Sequence, residues 1–243
     1  MLLRRVIQHV SAQNWTAVAI DFAIVVIGVF IGIQVSNWNS RAAESRLTER
    51  QLQALTEELV ENRSRLTQFQ DLLLERVEAV NEIRSSLQRF PAAVELPELD
   101  KMLLLAVSVP EYRPELIAFQ ELGASGGLRK LAGTKLRAQI SAWESGVRRI
   151  ARLNRDALSH RDGIILPYML SAVSIGSMAS ANPKTLELGL APSQFRTEPG
   201  ELAMNREFDN ALSMRFIILT EELGASDQLR EQTDLLMRKL QDR

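Results

Sequence analysis

One acidic residue, Asp21, lies inside an apolar run, and its type and depth are the first indication of chemistry in the chain. A carboxyl group within a membrane is disfavoured against lipid, so we expect this one to face protein, water or the bilayer interface. There it could carry protons, as in ion-driven stator subunits, or help to hold two helices together. The simpler alternative is an acid that snorkels to the headgroups or caps a helix.

Few other residues suggest catalysis or metal binding. His160 and Asp156 stand four residues apart on a predicted helix, but two ligands are too few for a metal site. The tripeptide His-Arg-Asp that begins at His160 lacks the other kinase motifs. The stretch GASGGLRKLAGTK fits neither phosphate-binding fingerprint, and helix stops and turns explain its glycines. The chain has no cysteine, which excludes a disulfide framework, a thiolate zinc site and a cysteine nucleophile.

Charged residues are numerous, but none forms an identifiable acid–base pair. Adjacent acids such as Glu57–Glu58 and Glu221–Glu222 point about 100° apart on a helix, and we interpret them as solvated faces. The most basic local patch is a candidate anion contact, although a solvated face explains it more simply; it comprises Arg148, Arg149, Arg152 and Arg155. The chain has 29 Lys and Arg against 30 Asp and Glu, so it carries no net positive charge that would attract nucleic acid. We predict no enzymatic activity, no cofactor, no metal and no nucleic-acid partner.

The apolar run around Asp21 has the length and the ends of a transmembrane helix. Asp21 is the only charged residue from Trp15 to Trp38, and a helix between the two tryptophans is about 34 Å long, close to the thickness of a bilayer. Tryptophan at both ends is typical of membrane interfaces. We predict a transmembrane helix at 15–38, preceded by an interfacial amphipathic segment at 1–14. A cleaved signal peptide and a buried core helix are the alternatives.

Small residues follow one face of the predicted span. Gly28, Gly32 and Ser36 are spaced by four, which makes a flat strip on which another helix can approach closely. Asp21 lies seven residues before Gly28, near the same stripe. We therefore predict that these four residues form a helix-association face, whose partner is a second copy or another membrane protein. Chance is the alternative, because glycine is common in membrane helices.

Beyond the span, the sequence predicts an extramembrane helical domain over 39–243. Leucine or valine recurs every seven residues from Leu52 to Leu87, and most residues three positions later are also apolar. This is the pattern of a coiled-coil or bundle seam. Asn62 and Arg76 interrupt the seam. Such residues can fix the register of a bundle, but we favour the interpretation that both reach solvent at the edge.

Prolines and glycines divide the extramembrane part into helices and connections. The predicted elements are long helices at about 40–90, 134–175 and 205–242, a small helical insert at 97–132 and a loop at 176–204. Pro167 is expected to kink or stop the second long helix. The expected fold is all-α, with one N-terminal transmembrane helix followed by an elongated up-and-down helical bundle that has long coiled-coil-like helices.

Two stretches, DFAIVVIGVFIGIQVSNWN and AFQELGASGGLRKLAGTKLRAQISAWE, resemble those of a widespread uncharacterised family of bacterial single-span membrane proteins. Its members have an acid, an apolar run with V-x-I-G, and then Q-x-x-N-W-N before a helical domain. At the membrane the similar residues are Asp21, Gln34, Asn37, Trp38 and Asn39. Further along they are Leu122, Ser125, Gly126, Leu128, Phe208 and Asn210. Ala132-Gly133 departs from the family, which often has an asparagine there.

The resemblance implies a topology but no activity. Basic residues nearly balance across the span, since Arg4 and Arg5 precede it while Arg41, Arg46 and Arg50 follow it. Relatives often carry more basic amino-terminal segments, which implies a cytoplasmic amino terminus and a periplasmic domain. We therefore expect a single-pass protein of the bacterial inner membrane that mediates protein association. Two other hypotheses are a periplasmic ligand-sensing domain and an ion-translocating, stator-like subunit that uses Asp21.

Overall fold

The computed structural model describes residues 15–89 and 95–242, and at residues 15–18 and at Asp21 it describes the backbone without the side chains. The interfacial segment predicted at 1–14 lies outside the described residues. All regular structure in the described part is helical, so the all-α prediction is confirmed there. The chain divides into two compact units, an amino-terminal unit of residues 1–51 and a carboxy-terminal unit of residues 52–243.

Helix α1 (Trp15–Arg89) is a single long helix whose residues belong to both units. Its early part is long and apolar enough to cross a membrane, judged by length and composition, and none of that stretch is buried. Every described side chain from Ala19 to Asn39 is exposed, the large apolar ones included. The prediction of a long apolar helix near the amino terminus is therefore confirmed.

The other helices of the described part follow α1 in the carboxy-terminal unit. They are α2 (Leu96–Val107), α3 (Ile117–Ala124), α4 (Gly127–Lys130), α5 (Lys135–His160), α6 (Leu166–Ala172), α7 (Ile175–Ser180), α8 (Pro183–Glu187), α9 (Pro199–Ala203) and α10 (Arg206–Gln241). The two longest of these helices, α5 and α10, each begin at a capping residue. Thr134 caps α5 and Asn205 caps α10, each with a side-chain oxygen that accepts backbone N–H groups of the first turn.

The long helix predicted over 134–175 is interrupted in the structure. Helix α5 ends at His160, and a π-helical turn follows in which the Leu166 N–H donates to the Arg161 carbonyl. Pro167 explains the interruption, because it has no N–H for the carbonyl four residues earlier and its ring crowds that carbonyl. The chain passes through this π turn and then continues as α6.

The segment predicted as a loop at 176–204 contains most of α7 and all of α8 and α9. Each of these short helices begins at a recognisable signal. The Ser174 hydroxyl and the Asn182 side chain accept backbone N–H groups of α7 and α8, while Pro183 and Pro199 occupy the first turns of α8 and α9. The prolines and polar residues that indicated a loop therefore act as helix starts.

The predicted seam of α1 lies in the hydrophobic core of the carboxy-terminal unit. Its buried residues are Leu52, Leu55, Leu59, Leu66, Phe69, Leu73, Val80, Ile83 and Leu87. Helix α10 runs antiparallel to α1 beside this seam, because its early residue Asp209 pairs with Arg84 at 2.9 Å and its late residue Asp234 pairs with Arg63. Burial of these leucine and aromatic side chains supplies the main favourable term for folding.

Residues 108–116, between α2 and α3, run back along α1 without forming a helix. The Arg76 Nε donates to the Ser108 hydroxyl at 3.0 Å, and the Asn62 side-chain amide exchanges two bonds of 2.7 Å with the Glu115 backbone. The interpretation that Asn62 reaches solvent is therefore wrong, since it is only 1% exposed. Its amide takes the place of a backbone partner for the Glu115 N–H and C=O groups of this non-helical segment.

Helices α5 and α10 approach each other closely at Gly146. A Cβ atom there would lie 2.4 Å from the Gln232 Oε1 and 3.0 Å from the Leu229 Cδ1. Further along α5, Asn154 lies against Glu222, which is earlier in α10, so these two helices are also antiparallel. A glycine in the middle of a helix is unfavourable by itself, and here it permits the close contact.

We expect Gly146→Leu to lower the free energy of unfolding by about 1–3 kcal/mol, because the added side chain overlaps α10. Gly224→Leu is the matched control, since a Cβ at that exposed position of α10 meets no atom within 4 Å. The control should be neutral or slightly stabilising, because leucine favours helix more than glycine does. Urea unfolding of the full chain, followed by circular dichroism, measures both. Equal stability of the two variants would contradict the close contact.

Candidate functional site

The predicted association strip lies open on α1. Gly28, Gly32 and Ser36 are all exposed, and a Cβ atom at either glycine would meet no other atom within 4 Å. Trp15 and Asp21 belong to the same helix, but their side chains lie outside the described ones. The stator-like hypothesis depends on the Asp21 carboxyl group and so stays a prediction. The space over the two glycines is wide enough for a second helix to approach.

The predicted membrane-exit residues are exposed as well: Gln34, Asn37, Trp38 and Asn39. The Trp38 side chain is 73% exposed. An indole carries one N–H donor on a large apolar ring and is common at the boundary between headgroups and hydrocarbon, so the interface role of Trp38 stays a prediction.

The four arginines of the predicted anion patch lie on the outer surface of α5: Arg148, Arg149, Arg152 and Arg155. Arg148 pairs with Glu144 at 3.1 Å, and the Arg149 Nη1 donates to the Gln228 Oε1 at 2.5 Å. Arg148, Arg152 and Arg155 share one exposed face of α5, where water surrounds their charges, and surface pairs of this kind contribute little energy. The patch by itself makes no enclosed anion site.

A second group of polar side chains is buried inside the carboxy-terminal unit, and we call it the buried polar centre. It consists of Arg215 and Glu222 on α10, Asn154 on α5, and the backbone of residues 106–110. Arg215 is 1% exposed and Glu222 is fully buried. Charged side chains are rarely buried to this degree unless they have specific partners, so the centre is the strongest candidate for a site.

Arg215 holds the end of helix α2. Its Nε donates to the Ala106 carbonyl at 2.9 Å, and its Nη2 donates to the Ser108 carbonyl at 2.7 Å. The last carbonyls of a helix have no partner within the helix, and a cation at that end also interacts favourably with the helix dipole. The guanidinium of Arg215 therefore caps α2 from a different helix.

Asn154 links the same connection to Glu222. Its side-chain amide donates to the Pro110 carbonyl at 2.6 Å and to the Glu222 Oε1 at 3.4 Å. The segment between α2 and α3 is thus held from α5 and from α10, while Arg76 reaches it from α1. Buried backbone groups that no secondary structure satisfies are satisfied here by side chains.

Two charged groups of the centre are only partly satisfied. The Arg215 Nη1 and the Glu222 Oε2 are buried, and neither has a hydrogen-bond partner among the described residues. Burial raises the pKa of Glu222 to about 7, against the opposing effects of the Arg215 charge and the Asn154 hydrogen bond. Burial also lowers the pKa of Arg215 to about 10. The centre can therefore take up or release a proton near neutral pH.

Two other buried acids are bound to helix starts. The Glu58 carboxylate accepts the Ala118 N–H at 2.7 Å and the Phe119 N–H at 3.3 Å, so it caps α3 from α1. Asp100 on α2 accepts the Ser177 hydroxyl of α7. Burial raises the pKa of both carboxyl groups. The interpretation of the adjacent acids as solvated faces is correct for Glu57 and Glu221 and wrong for Glu58 and Glu222.

The middle motif of the resemblance forms the turn between α3 and α4. Gly126 has a φ of +81°, in the left-handed region that glycine adopts most easily, and Leu122 is buried beneath it. Farther along, Phe208 is buried and stacks on Tyr168 with ring centroids 6.2 Å apart, whereas Asn210 is exposed. Gly126, Leu122 and Phe208 therefore have evident folding roles.

Taken together, the fold defines an all-helical protein with one helix near the amino terminus that is long and apolar enough to cross a membrane. Within the described part, no three His, Cys, Asp or Glu side chains gather as a metal site. Comparisons with protein-family models, with curated proteins and with solved structures find no match. The resemblance to the single-span family therefore stays a prediction.

Proposed function

We propose that this chain is a non-enzymatic, single-pass protein of the bacterial inner membrane and that its role is protein association. The observation that carries the proposal is the exposed apolar stretch of α1, in which the strip Gly28, Gly32 and Ser36 is open to a partner. Apolar side chains exposed at this density need lipid or protein around them. The partners are the bilayer together with a second copy or another membrane protein.

We further propose that the amino terminus is cytoplasmic and that residues 39–243 form a periplasmic up-and-down bundle with long coiled-coil-like helices. The antiparallel pairing of α10 with α1 and with α5 supports this architecture, as does the segment 108–116 that runs back along α1. The heptad seam of α1, buried from Leu52 to Leu87, supports the coiled-coil-like packing.

The test is the mass of the purified protein in nanodiscs for the wild type, Gly32→Leu and Ala23→Leu. A leucine at Gly32 fills the flat strip, so we expect a discrete wild-type homo-oligomer to dissociate in this variant. Ala23 lies nine residues away, about half a turn around the helix, so Ala23→Leu places the same side chain on the opposite face. This control should keep the wild-type mass.

Each other outcome has a definite meaning. An oligomer of equal mass in all three proteins would show that the strip is not the association face. A wild-type complex with a different protein would assign the strip to that partner. A wild-type monomer without any other bound protein would contradict association as the function.

A further inference from the structure

The two incompletely satisfied charges of the buried polar centre are within reach of each other. Glu222 follows Arg215 by seven residues on α10, which places them on the same face about 10.5 Å apart along the axis. Both side chains are long, and the Arg215 Nη1 and the Glu222 Oε2 each lack a partner. The two charges interact electrostatically, and a direct pair between them would require the guanidinium to leave the carbonyls of Ala106 and Ser108.

Among the described residues, the elements around this pair place cations near it, and the acids beside those cations already have partners. The charged and titratable neighbours from the packed elements are Arg76 with its partner Glu75 on α1, His160 at the end of α5, and Arg161 with its partner Asp162 on the π turn. The connection at 106–110 contributes carbonyl groups. Glu75 and Asp162 are already paired, so Glu222 is the acid on which the charge balance of Arg215 depends.

We propose that Glu222 and Arg215 form a proton-controlled latch on the connection between α2 and α3. When Glu222 carries a proton it is neutral, and the Arg215 guanidinium stays on the carbonyls of Ala106 and Ser108. When the proton leaves, the buried carboxylate attracts the guanidinium, which exchanges its carbonyl bonds for a charge-assisted pair. The end of α2 then loses its cap, and residues 106–110 are released.

The high pKa of Glu222, about 7, places this change near neutrality. The connection can respond as a unit because Pro110 and Pro114 keep it from forming helix, so its backbone depends on side chains for partners. The latch lies wholly in the carboxy-terminal unit, and it does not depend on association through the membrane helix.

Hydrogen exchange of the full chain in nanodiscs at pH 6, 7 and 8, read by mass spectrometry, tests the latch. Peptides that cover residues 104–116 contain the Ser108 N–H, which donates to the Leu104 and Leu105 carbonyls at the end of α2. After correction for the intrinsic pH dependence of exchange, we expect their exchange rate in the wild type to rise about tenfold from pH 6 to pH 8, as the ionised fraction of Glu222 grows.

Two variants test whether ionisation of Glu222 causes the rise in exchange. Glu222→Gln cannot ionise, so its corrected exchange should stay flat across the pH range. Glu221→Gln changes the adjacent exposed acid and should retain the wild-type rise. The proposal is overturned if the corrected wild-type exchange is flat, if Glu222→Gln shows the same rise, or if Glu221→Gln removes it.

A measurement on the wild type alone keeps the test decisive if Glu222→Gln does not fold. The infrared band of a protonated, buried carboxyl group should disappear with a midpoint near pH 7. Loss of this band at the same midpoint as the rise in exchange supports the latch. Midpoints more than one pH unit apart overturn it.

Discussion

Replacement of Arg215 by alanine is expected to lower the free energy of unfolding by about 3–5 kcal/mol. The variant removes the donor of the buried Ala106 carbonyl, at about 1–3 kcal/mol, and the donor of the part-buried Ser108 carbonyl, at a smaller cost. It also removes the positive charge of Arg215, which lowers the pKa of Glu222. The buried Glu222 carboxyl therefore ionises less readily in the variant. Urea unfolding of the full chain in nanodiscs, followed by circular dichroism at pH 7, measures the loss.

Arg149→Ala is the control for this prediction. Arg149 is an exposed arginine with one side-chain bond, to Gln228, so its removal should cost less than about 1 kcal/mol. Arg215→Lys should fall between the two, because an ammonium keeps the charge but lacks the planar fork that serves two carbonyls at once. If Arg215→Ala and Arg149→Ala were equally stable, the guanidinium would not be needed as the cap of α2.

The features that the sequence predicted well are those encoded by local periodicity. The heptad from Leu52 to Leu87 indicated a buried face, and those positions are buried in the structure. The apolar run before Asn39 likewise indicated a helix with exposed apolar side chains. In both cases the signal lies in neighbouring residues of one helix, so no knowledge of distant contacts was needed.

The charged residues of the buried polar centre lie on a periodic pattern in α10. The pattern is hard to see in the sequence, because several of its positions are polar or charged. Apart from Ala225, the buried positions of α10 alternate in steps of four and three, and they are Phe208, Leu212, Arg215, Leu219, Glu222, Ser226, Leu229, Thr233 and Leu236. This is a seam with two charges in it. The spacing could have placed Arg215 and Glu222 in the core, whereas composition alone suggested solvent for both.

The partners of those charges could not be predicted from the sequence. Arg215 donates to carbonyl groups that lie more than a hundred residues earlier in the chain, at the end of α2. Pro110 and Pro114 indicated a turn, but the contacts with Arg76 and Asn62 that lay this segment along α1 are contacts between distant parts of the chain. Such pairings follow from the packing of whole helices, which one periodic pattern does not specify.

Glu222 should make the wild-type protein less stable as the pH rises from about 4.5 to about 7. Its pKa is about 7 in the folded chain against an ordinary value of 4.5, so over this range the folded state binds more protons than the unfolded state. Stability therefore decreases with pH, by about 3 kcal/mol in total, and the loss is complete above pH 7. We expect Glu222→Gln to match the wild type near pH 4.5 and to be about 3 kcal/mol more stable at pH 8.

Urea unfolding at pH 4.5, 6, 7 and 8 checks this prediction, with Glu221→Gln as the control. Glu58, Asp100 and His160 also titrate differently in the folded chain, but they are common to all three proteins and cancel in the comparison. Parallel stability curves for the wild type and Glu222→Gln would contradict a buried, titrating Glu222.

The size of the difference at pH 8 also bears on the latch. Each pH unit by which the folded-state midpoint of Glu222 exceeds 4.5 adds about 1.4 kcal/mol to the gain, so a midpoint near pH 7 and a gain of about 3 kcal/mol must occur together. The position of Arg215 is read from the exchange instead, because release of the carbonyls of Ala106 and Ser108 exposes the end of α2. A gain near 3 kcal/mol, together with faster exchange at residues 104–116 at pH 8, is the combined result that a moving Arg215 requires. A gain near 3 kcal/mol with unchanged exchange would mean that the ionised carboxylate is simply tolerated in a rigid core.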